Sequence, residues 1–193
     1  MLRLQQLFTH SPSFSIAEKL YTEAFPLNER RPLEEWRKLA DEEGAFQIFE
    51  ILSEGRFSGF VSCWQMGNFI YIEHFAILAA LRCHGLGKEA VELLKKTYSP
   101  LPLVLEAEPP ECALAQRRIA FYERSGFSLS QRHYLQPPYH PGTPWFPLLL
   151  LCTDARFLEE QFEAVRNNIY SSVYHQKAPF PKEGKGGVLS EKI

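Results

Sequence analysis

Apolar positions along this chain follow two periods, and each change of period marks an element boundary. The chain opens helically. Ser15-Ile-Ala-Glu18 has the spacing of a capping box, so a short helix is expected through Phe25, halted near Pro26. Pro32 suits the first position of a second helix that carries Trp36 and Leu39 and stops at Gly44. Asn28-Glu-Arg-Arg31 between the two is a charged elbow. The pattern then becomes extended: Phe46 to Leu52 and Phe57 to Gln65 are rich in aromatic and branched residues, with Ser53-Glu-Gly-Arg56 as a hairpin turn. Met66-Gly-Asn68 is a second turn and Phe69 to Ile77 a third strand.

From Gly85 the period lengthens. Leu86, Ala90, Leu93 and Leu94 fall on one helical face, suited to packing on a sheet. Leu101 to Glu106 returns to strand, Pro109-Pro110 breaks the chain, and Cys112 to Ser125 is helical with Gly126 as its stop. Two more strands are expected around Arg132 to Gln136 and Trp145 to Thr153. Asp154 can cap a last helix, Ala155 to about Tyr174, striped by Phe157, Phe162, Val165, Ile169 and Val173. The expected fold is α/β: one domain over residues 1–175 with a mixed, mostly antiparallel sheet flanked by helices. Residues 176–193, rich in Lys, Gly and Pro, read as a disordered tail.

Composition narrows the partners. A net charge of -2, with Lys and Arg interspersed among acids, gives no basic face and argues against nucleic acid. Cys63, Cys83, Cys112 and Cys152 are far apart with no C-x-x-C pair, which reads as free thiols and no metal site. Met1 to Gln6 lacks the layout of a signal peptide, and Phe146 to Cys152 is too short to span a bilayer, so a soluble cytoplasmic protein without a membrane partner is expected. The stripe on the last helix also offers a face for a second copy of the chain.

The sharpest local signal is Leu81-Arg82-Cys83-His84-Gly85-Leu86-Gly87-Lys88, between a strand and an amphipathic helix. Glycines admit a ligand close to the backbone, and the first helical turn offers unpaired N–H groups at the positive end of its dipole. That is a pyrophosphate site, with Arg82 and Lys88 adding charge. Neither a P-loop nor a complete G-x-G-x-x-G is present, so nucleotide hydrolysis and Rossmann dinucleotide binding are unsupported.

Arg82-x-x-Gly85-x-Gly87 resembles the [QR]-x-x-G-x-[GA] motif of the GNAT N-acetyltransferases, and Ile119-Ala-Phe-Tyr122-Glu-Arg-Ser-Gly126-Phe127 resembles their second signature. Fuller strings, Tyr71 to Ile77, Gln136-Pro-Pro-Tyr139 and Ala24-Phe-Pro with Glu29-Arg-Arg-Pro32, look like a bacterial subgroup whose members mostly lack an assigned substrate. The resemblance implies a GNAT fold and acetyl transfer from acetyl-CoA, a co-substrate, to a small-molecule or peptide amine by direct attack. Residues 82–88 would cradle its pyrophosphate. The main-chain groups of Phe75 and Ile77 would pair with its pantetheine arm. One departure is Ala115, where many relatives have an Asn that contacts the cofactor.

The chemistry needs a base for the ammonium and an acid for the departing thiolate. Alternation on the third strand groups Tyr71, Glu73, Phe75 and Ile77 and sends His74 to the other face. By the resemblance, Glu73 is the leading base and Tyr122 the acid. Glu29, Glu106, Glu108 and Glu111 suit a cationic acceptor or simple solvation. The alternative is a non-catalytic acyl-CoA-binding module on the same fold.

Overall fold

The computed structural model describes residues 1–42 and 44–178; the segment expected to be a tail from residue 179 onward lies outside the described residues. Along the chain run β1 (Leu2–Gln6), α1 (Phe14–Ala24), a 3₁₀ turn (Leu27–Glu29), α2 (Leu33–Asp41), β2 (Phe46–Ser53), β3 (Arg56–Gln65) and β4 (Ile70–Ile77). There follow α3 (Leu86–Tyr98), β5 (Leu103–Ala107), α4 (Ala113–Arg124), β6 (Ser128–Leu129), β7 (Tyr134–Gln136), β8 (Phe146–Cys152), α5 (Ala155–Asn168) and a π-helical turn (Ile169–Val173). The sheet order is β1-β2-β3-β4-β5-β8-β6, with β7 beside β8. Every pairing is antiparallel except β4 with β5. The mixed, mostly antiparallel sheet is as expected. Two short strands, β1 and β6, were not read from the pattern.

Helices cover both faces. Phe14, Tyr21, Trp36, Phe162 and Val165 of α1, α2 and α5 share one core with Phe60, Tyr71 and Val104 of the sheet. Val91, Leu94, Ile119 and Tyr122 of α3 and α4 share another with Val61, Ile72 and Leu105. No helix among the described residues is long and apolar enough to cross a membrane.

Local chemistry explains most boundaries. The Asp154 side chain accepts from Phe157 N at 2.9 Å, capping α5 as expected. The Ser15–Glu18 capping box does not form: α1 starts two residues earlier, after Ser13, and Glu18 instead accepts from the Arg37 guanidinium of α2 at 2.6 and 2.9 Å. The hairpin between β2 and β3 turns on Glu54 and Gly55, both at positive φ, the conformation that tight two-residue hairpins favour.

The element that positions the site is β4. It pairs with β5 only from Ile70 to Ile72, opposite Leu103 to Leu105, and the two strands then part although β4 continues to Ile77. On its other side β4 slips against β3: Cys63 faces Ile72 and Ser62 faces His74, leaving Glu73 as the extra residue of a β-bulge. The bulge resets the alternation. Glu73 and His74 both lie on the α1/α2 side, whereas Phe75 and Ile77 lie on the α3/α4 side, against Phe121 and Ala90. The expected grouping of Tyr71 and Glu73 with Phe75 and Ile77, opposite His74, is therefore corrected, because it assumed an unbroken pleat.

Gly59 of β3 holds the close approach that this arrangement needs. A Cβ there would collide with the carbonyl oxygen of Ala76 and lie 3.0 Å from Ile77 Cα, both backbone atoms that cannot turn aside. Gly59→Ala is expected to cost about 1–3 kcal/mol, read as a lower urea midpoint at unchanged slope. A midpoint equal to the parent's would refute the close packing of β3 on β4.

Candidate active site

Where β4 and β5 part, the next residue on each strand is a carboxylate: Glu73 after Ile72, and Glu106 after Leu105. Both belong to the α1/α2/α5 side, and their surroundings differ.

The Glu73 side chain has no exposed surface. Oε1 accepts from Arg31 Nε at 2.7 Å and from the Tyr139 hydroxyl at 2.8 Å, and Oε2 accepts from Trp64 Nε1 at 2.8 Å. Burial disfavours its charge, but Arg31, His74 and the Trp64 and Tyr139 donors outweigh burial and hold its pKa below the ordinary carboxylate value. What remains exposed at Glu73 is therefore main chain. Arg31, at the end of the charged elbow, is 1% exposed. Its Nη2 donates to Val173 O at 2.6 Å, Nη1 to Glu35, and its plane lies 5.2 and 5.3 Å from the Trp64 and Tyr139 ring centres. The Tyr21 hydroxyl accepts from Arg31 N at 2.8 Å.

Glu106 sits among tyrosines. Its Oε1 accepts from the Tyr134 hydroxyl and Oε2 from the Tyr174 hydroxyl at 2.7 Å, with the Tyr71 hydroxyl 3.4 Å from that of Tyr174. Among the described residues no cation pairs with it. Burial, helped by the Glu73 charge, pushes its pKa up to about 7 against the pull of the three hydroxyls. That is the range in which a side chain can take and release a proton at neutral pH. Glu106 entered the sequence reading only as one of four acids. Its position one residue past the stretch of β5 that pairs with β4, as Glu73 is one residue past it on β4, depends on the sheet pairing and is invisible beforehand.

The other face carries the loop expected to be a phosphate cradle. Gly85, at φ +83, is the N-cap residue of α3, and a Cβ there meets nothing within 4 Å. The amides of Cys83, His84, Gly85, Leu86, Gly87 and Lys88 donate to no carbonyl of the described residues. Together they form an open ring of donors at a helix N-terminus, a fit for a pyrophosphate. Lys88 is exposed beside it, whereas Gly87 packs on Phe121 and Phe75. Arg82 turns back: its Nε donates to Ile77 O at 3.0 Å. Leu78 N bonds to Ser58 O, so ladder alternation turns the main-chain groups of Phe75 and Ile77 away from β3, toward the gap left by β5.

Tyr122 of α4 is buried on this face beside Phe127 and Phe121. Its ring is in the core, and its pKa is pushed up to about 12 by burial, so the hydroxyl keeps its proton. Ala115, the departure from the Asn that many relatives have there, is 2% exposed.

The structure thus brings the loop at residues 82–88, Phe75, Ile77 and Tyr122 to one side of the sheet and Glu73 to the other, the two sides meeting at the gap. The Acetyltransferase (GNAT) family model matches residues 13–127. A structure assigned to the GNAT acetyltransferases, from Bacteroides thetaiotaomicron, is 36% identical with a TM-score of 0.86, covering 91% of this chain and 99% of that one. More distant structures share the fold. Arabidopsis thaliana NAA60 in complex with acetyl-CoA is 15% identical (TM-score 0.59, 79% and 97% covered). The Escherichia coli ribosomal-protein-S18-alanine N-acetyltransferase is 19% identical (TM-score 0.53, 79% and 92% covered). No curated protein matches the sequence.

Arg31 is the group on which the buried carboxylate depends. Arg31→Met should destabilise the protein by about 3–5 kcal/mol at pH 7, because an unpaired charge stays buried. The sign follows from Glu73. Its depressed folded pKa supplies stability that is present above the unfolded value and lost as pH falls through the folded one. Without Arg31 the acid protonates instead, so the penalty should shrink as pH falls toward 4. Urea unfolding of both proteins at pH 7 and pH 4 measures it, and a penalty that grows at pH 4 would contradict the pairing. On motif, fold and site together, this chain belongs to the GNAT acetyltransferase family.

Proposed function

We propose that this acetyltransferase moves the acetyl group of acetyl-CoA to an amine by direct attack, within a ternary complex assembled across the gap between β4 and β5. The observation that carries the reading is the parting of those strands after Ile72 and Leu105, with a ring of free amides on one face and a near-neutral carboxylate on the other. The bound co-substrate supplies an acetyl group already activated as a thioester. The amides of residues 83–88 and Lys88 hold its pyrophosphate, and the Phe75 and Ile77 main chain lines its path. Arg82 supports that path through Ile77 O rather than by meeting phosphate.

On the acceptor side the roles divide between the carboxylates. Glu73, expected from the resemblance to be the base, is a poor one as placed: it is paired with the Arg31 guanidinium, and its lowered pKa favours the charged state too strongly to bind a proton at neutral pH. It serves as the fixed counter-ion of Arg31. Glu106 is the better base. In the step, the ammonium gives one proton to Glu106, the freed amine nitrogen bonds to the acetyl carbon as the C–S bond breaks, the thiolate takes the Tyr122 hydroxyl proton, and the second nitrogen proton, lost as the amide forms, restores that hydroxyl.

Three variants test the assignment. Gly85→Asp places a carboxylate and a Cβ in the ring of amides, and acetyl-CoA binding by calorimetry should weaken at least tenfold. In a panel of amines with acetyl-CoA, read as released thiol, Glu106→Gln should lower kcat by about 10²–10⁴-fold. Its loss should ease at high pH, where free amine needs no base. Tyr122→Phe should slow turnover at every pH. Parental rates for Glu106→Gln on a good acceptor would remove it as the base.

A further inference from the structure

The acceptor side is completed by a piece of chain beyond the family-matched span. After α5, the π-helical turn Ile169–Val173 brings two groups of adjacent residues onto both carboxylate networks at once. Val173 O accepts from Arg31, the partner of Glu73, and the Tyr174 hydroxyl donates to Glu106 Oε2 at 2.7 Å. Tyr174 is 6% exposed, its ring lies 4.9 Å from that of Tyr139, and Gln176 N bonds to Tyr170 O to close the turn behind it. Single π turns inside helices recur at functional sites, because they re-aim the residues that follow. Here the re-aimed residue is Tyr174.

We propose that Tyr174 is a positioning residue for Glu106, which it orients and whose affinity for a proton it tunes by donating a hydrogen bond to the carboxylate. The proposal rests on reading Glu106 as the base. Other groups facing Glu106 are Tyr71 and Glu73 from β4, Tyr134 from β7 and Tyr139 from the loop after β7, with Arg31 beyond Glu73. Of the two hydroxyls that hydrogen-bond its oxygens, Tyr134 stands on the sheet and Tyr174 on the C-terminal turn. A donor stabilises the ionised carboxylate, so removing one should raise the pH at which Glu106 protonates, and strengthening it should lower that pH.

The test needs no acceptor. In protein labelled with ¹³C at the Glu carboxyl carbons, one resonance should titrate near neutral pH and vanish in Glu106→Gln, which assigns it. Tyr174→Phe should raise that midpoint by about half to one pH unit. Replacing Tyr174 with 3-fluorotyrosine, nearly the same shape but a stronger donor, should lower it. Unchanged midpoints in both variants would overturn the proposal, as would a Glu106 resonance that titrates with the bulk of the acids. If Tyr174→Phe does not give a folded spectrum, the fluorotyrosine protein decides alone. Failure of the base reading looks different: Glu106→Gln would then turn over amines at the parental rate while the shifts at position 174 persist.

Discussion

A guanidinium and a carboxylate taken fully out of water cost more than their mutual attraction returns unless nearly every donor and lone pair is satisfied. The Arg31–Glu73 pair meets that demand with groups from all over the chain: Trp64 from β3, Glu35 from α2, Tyr139 from the loop after β7, and Val173 O, 142 residues from Arg31. Each neighbour must arrive before the pair becomes tolerable. The pair therefore contributes less to the depth of the free-energy minimum than to its uniqueness, since any packing that misplaces one segment strands a buried charge. The β4 bulge belongs to the same constraint, because an unbroken pleat cannot put Glu73 and His74 on the same side.

With that cluster in place, the sheet separates two kinds of chemistry. Neutral-pH acetyl transfer wants one group that holds its proton until the thiolate leaves and another that is half-charged when the ammonium arrives. Burial raises both Tyr122 and Glu106, but from different starting points, leaving the phenol protonated and the carboxyl near 7. The same burial, answered by Arg31, drives Glu73 the other way. One physical effect yields three protonation states because the partners differ, and only Glu106 lacks a cation.

Much of this was legible in the sequence and some could not be. The loop at the start of α3 was legible from Gly85, Gly87 and the helical period after them, and Gly85 does sit at positive φ as the N-cap of that helix. The helices α3 and α5 were found from apolar spacing, because one face of each packs on the sheet, whereas α1, α2 and α4 were read from their cap, proline and glycine signals. The bulge is silent, since an extra residue in Ile72-Glu73-His74 leaves no mark on a polar-apolar string. Arg31 was read only as part of a charged elbow, because its burial depends on partners as distant as Val173. Glu106 acquires meaning only from the parallel register of β4 and β5, a pairing between segments about thirty residues apart. β1 and β6 were missed because a short edge strand carries too few residues to show a period.

Residues 13–127, the span of the family model, contain the cradle, the bulged strand, Tyr122 and both carboxylates. The groups that surround the carboxylates come largely from outside it: Tyr134, Tyr139, Val173 and Tyr174. A thioester cofactor presents the same pyrophosphate and pantetheine to every member of such a family, so one local solution built from glycines and helix amides serves them all. The amine does not, and its wall must be free to vary without disturbing the sheet. In the proposed reading part of that wall falls on the loop after β7 and the turn after α5, which meet the cluster through the Tyr139 and Tyr174 hydroxyls and one carbonyl. The family model therefore spans the loop at the start of α3 and both carboxylates, while several of the groups that close around those carboxylates arrive from segments beyond it.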